Sequence, residues 1–375
     1  MFRELLMGIA GGTLSGILPG IHVNTLAALV SRLGVGDNLV LLAMGLTHTF
    51  LDVVPSAFLG VPDEGTALGV LPAHRLVLDG RAMEVVRIAL WSSLLAIVMT
   101  VPLLPIYLRL APLYRPSVGR LAVLFLAAMI IFTETGMRKL HALAIFLLSG
   151  ILGILTFRLE LSQPFYHLFT GLFGIPVILT SLHRRSHPPL EPGGADVLME
   201  GWRFGLFSLL GTVLGMAASL VPAFTSSQAA LIGSFLSRDE RSFLTVVFSV
   251  NTANFIFSLV NFFSTGRVRN GIVALMHPHS VGLGTLVMAS LFVGLAVTLY
   301  GEPLAEAVLM LLRGIPYRPL NAAVLVFLVV LSLIFDGFSG LLVLLGASLV
   351  GLLAVILGVK RTNCMGVLML GIIIG

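Results

Sequence analysis

Apolar runs, most of them about the length of a bilayer crossing, follow one another along the chain and are separated by short polar interruptions. They are Leu5–Ser31, Asn38–Leu51 continuing past Asp52, Ile88–Leu108, Leu121–Thr133, Leu140–Phe157, Leu161–Leu182, Phe204–Ser237, Ser242–Gly266, Asn270–Gly301, Pro319–Phe335, Gly337–Val359 and Thr362–Gly375. About 20 apolar residues span the hydrocarbon as one helix. A spanning strand gives alternating segments of about ten residues, a pattern absent here. Lipid offers the backbone no hydrogen-bond partners, so the elements are read as helices. Two runs do not fit one helix. Leu5–Ser31 is interrupted at Pro19-Gly20, and Phe204–Ser237 is too long and is interrupted at Pro222. Proline removes a backbone donor and breaks a helix, so each is read as a broken helix or re-entrant hairpin. The expected fold class is an all-α, polytopic integral membrane protein with about ten to twelve membrane-embedded elements by span length.

Composition removes the alternatives. The 375 residues are 57% hydrophobic and 10% charged, with a mean hydropathy of +1.06. Soluble domains carry about a quarter charged residues. One cysteine, Cys364, excludes a disulfide framework within the chain and a cysteine-based metal cluster. The net charge of +5 is read as loop Lys and Arg setting membrane orientation, not as a nucleic-acid surface. MFRELLMGIAGG runs into an apolar segment without a small-residue cleavage pattern, so no removable leader is expected. The expected location is the plasma membrane of a prokaryote, with several passes.

The polar, Pro- and Gly-containing stretch 183–200 (HRRSHPPLEPGGADVLME) reads as a linker between a first repeat, 1–182, and a second, 201–375. Pro19 and Pro222 stand 203 residues apart, each after a run of small residues, and the same offset sets His48 against Asn251. Gly136 and Gly337 are 201 apart, and GLFGIPVIL from Gly171 lies 195 before GVLMLGIII from Gly366. Similar offsets in chain order predict an internal duplication, expected to be inverted, as in many carriers.

Chemistry concentrates at a few places. After one break come Gly20, His22, Asn24 and Thr25; after the other, Thr225, Ser226, Ser227 and Gln228. A helix starting there presents unpaired amides and a positive dipole end, which suit carboxylate or phosphate. Paired broken helices point to a midplane site, although the same polar residues also serve as simple caps. His48 and Asp52 share a helical face at i, i+4, and ionisable groups inside a membrane usually face a cavity or each other. They read either as a proton or sodium coupling pair or as a mutually satisfied structural pair. Asp63 and Glu64 lie in a polar stretch, Pro55–Thr66, able to form an ion-ligand turn or a helix start, and Asn251 is the counterpart of His48. Arg75 reads as a juxtamembrane anchor, and His167 and His277 as structural or surface residues. Glu134 and Asp336, each two residues or fewer before a glycine at the end of an apolar run, read as solvated helix-end carboxylates. No cofactor is expected, and no Ser-His-Asp order, HExxH or phosphate loop occurs.

Four segments resemble the large membrane subunit of the tripartite tricarboxylate transporters, the TctA-like family. They are the small-residue run into Pro19-Gly20, PSAFLGVPDEGTALGVLPAHRLVLDGRA (Pro55–Ala82), HLFTGLFGIPVIL (His167–Leu179) and CMGVLMLGIII near the C-terminus. The chain is shorter than is usual in that family, has His22 where a small residue is usual, and reads Val-Pro-Ala at the second break. The resemblance implies an all-helical carrier with inverted repeats and re-entrant hairpins, moving carboxylates with ion coupling beside a small membrane subunit and a secreted solute-binding protein. The functional expectation is therefore a carrier for an organic anion. A translocase for polyprenyl phosphate lipids is the alternative, and an intramembrane enzyme using His22, His48 and Asp63 or Glu64 is the third.

Overall fold

The computed structural model describes the chain except for residues 20–22, 64, 114–115, 133, 185–195, 221–225, 238, 269, 278–280, 314 and 375. Among the described residues all regular structure is helical. In chain order the helices are α1 (Phe2–Ile17), α2 (Val23–Arg32), α3 (Asn38–Leu51), α4 (Val53–Leu59), α5 (Val70–Leu78), α6 (Ala82–Leu110), α7 (Pro116–Phe132), α8 (Arg138–Arg158), α9 (Pro164–Phe169) and α10 (Ile175–Arg184). After the connector come α11 (Gly201–Leu220), α12 (Ser226–Leu236), α13 (Glu240–Thr265), α14 (Gly271–Ala274), α15 (Leu283–Arg313), α16 (Tyr317–Ile356) and α17 (Gly366–Ile374). Among the described residues seven helices are long and apolar enough to cross a membrane, and three shorter apolar helices lie within 119–132, 164–180 and 361–374. The protein is thus an all-helical, integral membrane protein, as its hydropathy pattern predicts.

Two kinds of helix can be told apart by what they bury. Every residue of α3 is buried, and α13 is buried along most of its length. A helix apolar all round belongs inside other helices or in lipid, and these two form the interior. By contrast α15 and α16 turn Leu299, Phe338, Leu349 and Ile356 outward, the apolar surface that a hydrocarbon solvent requires.

Small residues let the interior helices be approached closely. A side chain at Gly8 or Gly12 of α1 would collide with the α3 backbone, and one at Gly211 or Gly215 of α11 with that of α13. Each pair stands 203 residues from its counterpart, and so do Thr49 of α3 and Thr252 of α13, whose hydroxyls meet at 3.2 Å. Asp37 caps α3 by accepting from the Leu39 amide at 2.8 Å, and Asp239 caps α13 by accepting from the Ser242 amide at 2.9 Å.

Glu134 and Asp336 overturn the expectation of solvated carboxylates. Glu134 is buried and accepts from the Lys360 amide at 2.8 Å. Asp336 accepts from the amides of Ser162 (2.5 Å) and Gln163 (2.9 Å) and bonds His167 Nε2 at 2.8 Å. The orphan amides ahead of α9 and those ahead of the segment leading into α17 are thereby each capped by a carboxylate more than 170 residues away in the chain. The bend that presents Asp336 interrupts α16, with Gly337 at φ +59°, a conformation open to glycine and costly for other residues. His167 itself is fully buried, its Nδ1 bonded to Ser332 Oγ at 3.0 Å, in agreement with a structural role.

Candidate functional site

A cavity enclosing about 630 Å³ of space, its open mouth included, lies beside the first break. Ser15, Leu18 and Asn24 come from the broken segment, His48, Asp52 and Pro55 from α3 and α4, and Asp63 from the turn that follows. The far wall is Gln163, Tyr166, Phe169 and Thr170.

Local chemistry sets each side chain. α1 stops at Ile17, with Leu18 already extended at ψ 117°, one residue before Pro19, whose ring disfavours a helical predecessor. The chain re-enters as α2, and Asn24 packs against Gly271, where a side chain would strike its amide. α3 and α4 continue almost collinearly through Asp52, which has helical dihedrals (φ −60°, ψ −16°). Past Gly60, which ends α4 in the left-handed region at φ +70°, the chain folds inward. Gly65 lies so close to Asn251 that any Cβ there would overlap its amide, and the Gly65 amide donates to Asp63 Oδ1 at 3.2 Å.

His48 and Asp52 share a face as expected, but each bonds to other partners. His48 bonds Ser15 Oγ through Nδ1 at 3.1 Å and Asp63 Oδ2 through Nε2 at 3.2 Å. Asp52, 1% exposed, accepts from Asn251 Nδ2 at 2.9 Å on Oδ2, while its Oδ1 has no hydrogen-bond partner among the described residues. One donor atom from each of His48, Asp52 and Asp63 lies within 4.8 Å of the others.

Of the residues singled out from the sequence, Asn24, His48, Asp52 and Asp63 therefore line one cavity, and Asn251 bonds to it. Pro19 is in the turn after α1 and is not among the lining residues. Ser226 and Ser227 are buried in α12, Ser226 accepting from Asn254 Nδ2 at 3.0 Å, and neither lines this cavity. Gly20, His22, Glu64, Pro222 and Thr225, and the side chains of Thr25 and Gln228, lie outside the described residues. Arg75 is an exposed residue paired with Glu240 at 3.3 Å.

Among the lining residues that the sequence pattern does not single out are Ser15, Gln163 and Thr170. Ser15 is a polar member of the small-residue run before Pro19. Gln163 precedes Pro164, another helix start. Thr170 opens a π-helical turn, Thr170–Gly174, of the kind common at functional sites. That turn is tied down by Arg361, whose guanidinium donates to the Phe173 carbonyl at 2.8 Å. Polar residues beside prolines within apolar runs are the signal that marks Ser15 and Gln163.

An uncharacterised protein of Methanocaldococcus jannaschii is 28% identical over 388 aligned positions, covering 97% of this chain and 96% of its own. No solved structure matches the chain. The profile of one family, described as the Tripartite tricarboxylate transporter TctA family, matches residues 4–366. With nearly its whole length matched and an all-helical membrane body, the chain belongs to the TctA family of membrane transport proteins.

Proposed function

We propose that this chain is the carrier through which a carboxylate-bearing anion crosses the plasma membrane of a prokaryote, and that the solute binds in the cavity between Asn24, His48–Asp52–Asp63 and Gln163–Thr170. The carrying observation is a cavity inside a helical membrane body to which Asn24, His48, Asp52, Asp63, Gln163 and Thr170 bring polar groups, bounded by a broken helix on one side and a π-turn on the other. Irregular backbone at membrane depth is tolerated where it lines such a space. The tripartite character of the family supports work beside a small membrane subunit and a solute-binding protein. Two inverted repeats, 1–182 and 201–375 joined by 183–200, fit the meeting of Thr49 with Thr252 and the exchange of Glu134 and Asp336 caps.

Proteoliposomes carrying the full chain, with its neighbouring subunits co-expressed, test the reading. Saturable uptake of a radiolabelled di- or tricarboxylate is expected, and Asn24→Leu and Thr170→Val are expected to lower it on the order of tenfold, about 1.4 kcal/mol. Uptake indifferent to both substitutions removes the cavity from the route. Absence of carboxylate uptake together with flipping of a polyprenyl phosphate replaces the solute class.

A further inference from the structure

The cavity carries a chemical conflict. Its carboxylates, Asp52 and Asp63, face the space in which the proposed solute, itself an anion, has to sit, and neither lysine nor arginine is among the described lining residues. A positive charge that enters with the solute or before it relieves that repulsion. The arrangement of His48, Asp52 and Asp63 indicates which kind.

We propose that His48, Asp52 and Asp63 hold one divalent cation of the first transition row, such as Zn²⁺ or Mn²⁺, and that a carboxylate of the transported anion completes its coordination; the second clause rests on the carrier reading above. The first observation is spacing. Donor atoms of the three residues lie within 4.8 Å of one another, and His48 Nε2 is 3.2 Å from Asp63 Oδ2. Two ligands each about 2.1 Å from a metal and about 100° apart stand at about that separation. The second observation is independent of the first: Asp52 is 1% exposed and its Oδ1 has no hydrogen-bond partner among the described residues. Buried charge is ordinarily paired or bound to metal.

A third feature is how the ligands are held. His48 Nδ1 is bonded to Ser15 Oγ, Asp52 Oδ2 accepts from Asn251 Nδ2, and Asp63 Oδ1 accepts from the Gly65 amide. Each of the three is oriented through one atom while another belongs to the cluster, the outer support that metal ligands usually have. The imidazole decides the class of ion. Carboxylates alone suit magnesium or calcium, whereas an imidazole among them favours zinc and its first-row neighbours, and manganese, an oxygen-preferring member of that row, is served by the two carboxylates. The other buried histidine–aspartate pair, His167 with Asp336, has no such use, because Asp336 is already occupied by Ser162, Gln163 and His167.

The test uses the full chain in detergent, stripped with a chelator. Mn²⁺ is titrated by loss of its free electron-spin signal and Zn²⁺ by calorimetry, with Na⁺ and Mg²⁺ run as separate arms. One equivalent of transition metal is expected to bind. His48→Gln and Asp52→Asn are expected to weaken binding by more than tenfold, Ser15→Ala by about tenfold as an outer-support change, and His141→Gln on α8 not at all. Ser15→Ala keeps the test open if the ligand variants fail to fold. No stoichiometric binding by the wild type, binding unchanged in all three cavity variants, or binding confined to Na⁺ or Mg²⁺ overturns the metal site. Tricarballylate, a weak chelator, separates the two readings. Carboxylate binding that needs the metal supports the joint site. Equal carboxylate binding by stripped protein overturns it and leaves the carrier reading standing, and metal binding without any carboxylate binding overturns the coordination clause and the carrier reading while the metal site stands.

Discussion

At the scale of single residues, the pair Asn251–Asp52 decides how the two central helices are joined. One amide hydrogen of Asn251 meets a fully buried carboxylate oxygen at 2.9 Å. Replacing the amide by an apolar group of similar size leaves that oxygen without a partner as well, a cost of about 1–3 kcal/mol or more for a charged group. Asn251→Leu is therefore expected to lower the thermal midpoint in detergent measurably, and Asn251→Gln to lower it less. A midpoint unchanged in Asn251→Leu contradicts the bond. Asp52 and His48 were legible in the sequence as ionisable residues one turn apart in an apolar helix. Asp63 and Asn251 stood out beside them, but the pairings did not: Asn251 lies 199 residues from Asp52 and Ser15 lies 33 before His48, and spacing reports neighbours along a helix and nothing across the fold.

For the helices as elements, the ends carry the specificity. Asp239 accepts from the Ser242 amide (2.9 Å) and hydroxyl (2.7 Å) and from Arg203 (3.0 Å) at the start of α13. Burial pushes its carboxyl upward, but the Ser242 and Arg203 contacts outweigh that and hold it below the usual carboxylate range. A depressed folded value stabilises above the unfolded carboxyl's pKa and loses its contribution as pH falls through the lower folded value. Asp239→Ala is expected to cost about 1 kcal/mol at neutral pH, as cap removal commonly does, and the gap to wild type is expected to close on acidification. A pH-independent gap in a denaturation series contradicts this. The bend in α16 makes a second test. Gly337 sits at φ +59° and ψ −143°, a region essentially confined to glycine, so Gly337→Val is expected to destabilise by about 1–3 kcal/mol, whereas Gly201→Val, at a position with open space, is expected to be close to neutral. Helix existence and the proline breaks were read from the run lengths. The collinear passage of α3 into α4 through Asp52 follows from packing on all sides.

Across the whole molecule, carboxylates fasten one half to the other. Glu84 of α6 is fully buried and accepts from Arg241 of α13 at 2.7 Å and 3.0 Å, from the Leu198 amide at 2.7 Å, and from Arg81. Removing one partner of a buried ion pair costs about 3–5 kcal/mol, so Glu84→Ala is expected to lose most of the folded yield and Glu84→Gln less of it, measured by monodispersity after purification. Glu134→Ala and Asp336→Ala are expected to speed amide hydrogen exchange in 360–374 and 162–180 respectively, each in the half opposite the substitution. The amino-acid sequence by itself determined the solvent of this protein, because apolar runs without compensating charge have only lipid or a helical interior to occupy, and it marked the break at Pro19, whose ring disfavours a helical predecessor, although α6 and α15 run on through Pro102, Pro105 and Pro303. Only the tertiary structure decided which polar residues share a cavity. A carboxylate such as Glu134 reads alike at a wet helix end and beneath another helix start, and its surroundings are set by packing between segments more than 200 residues apart.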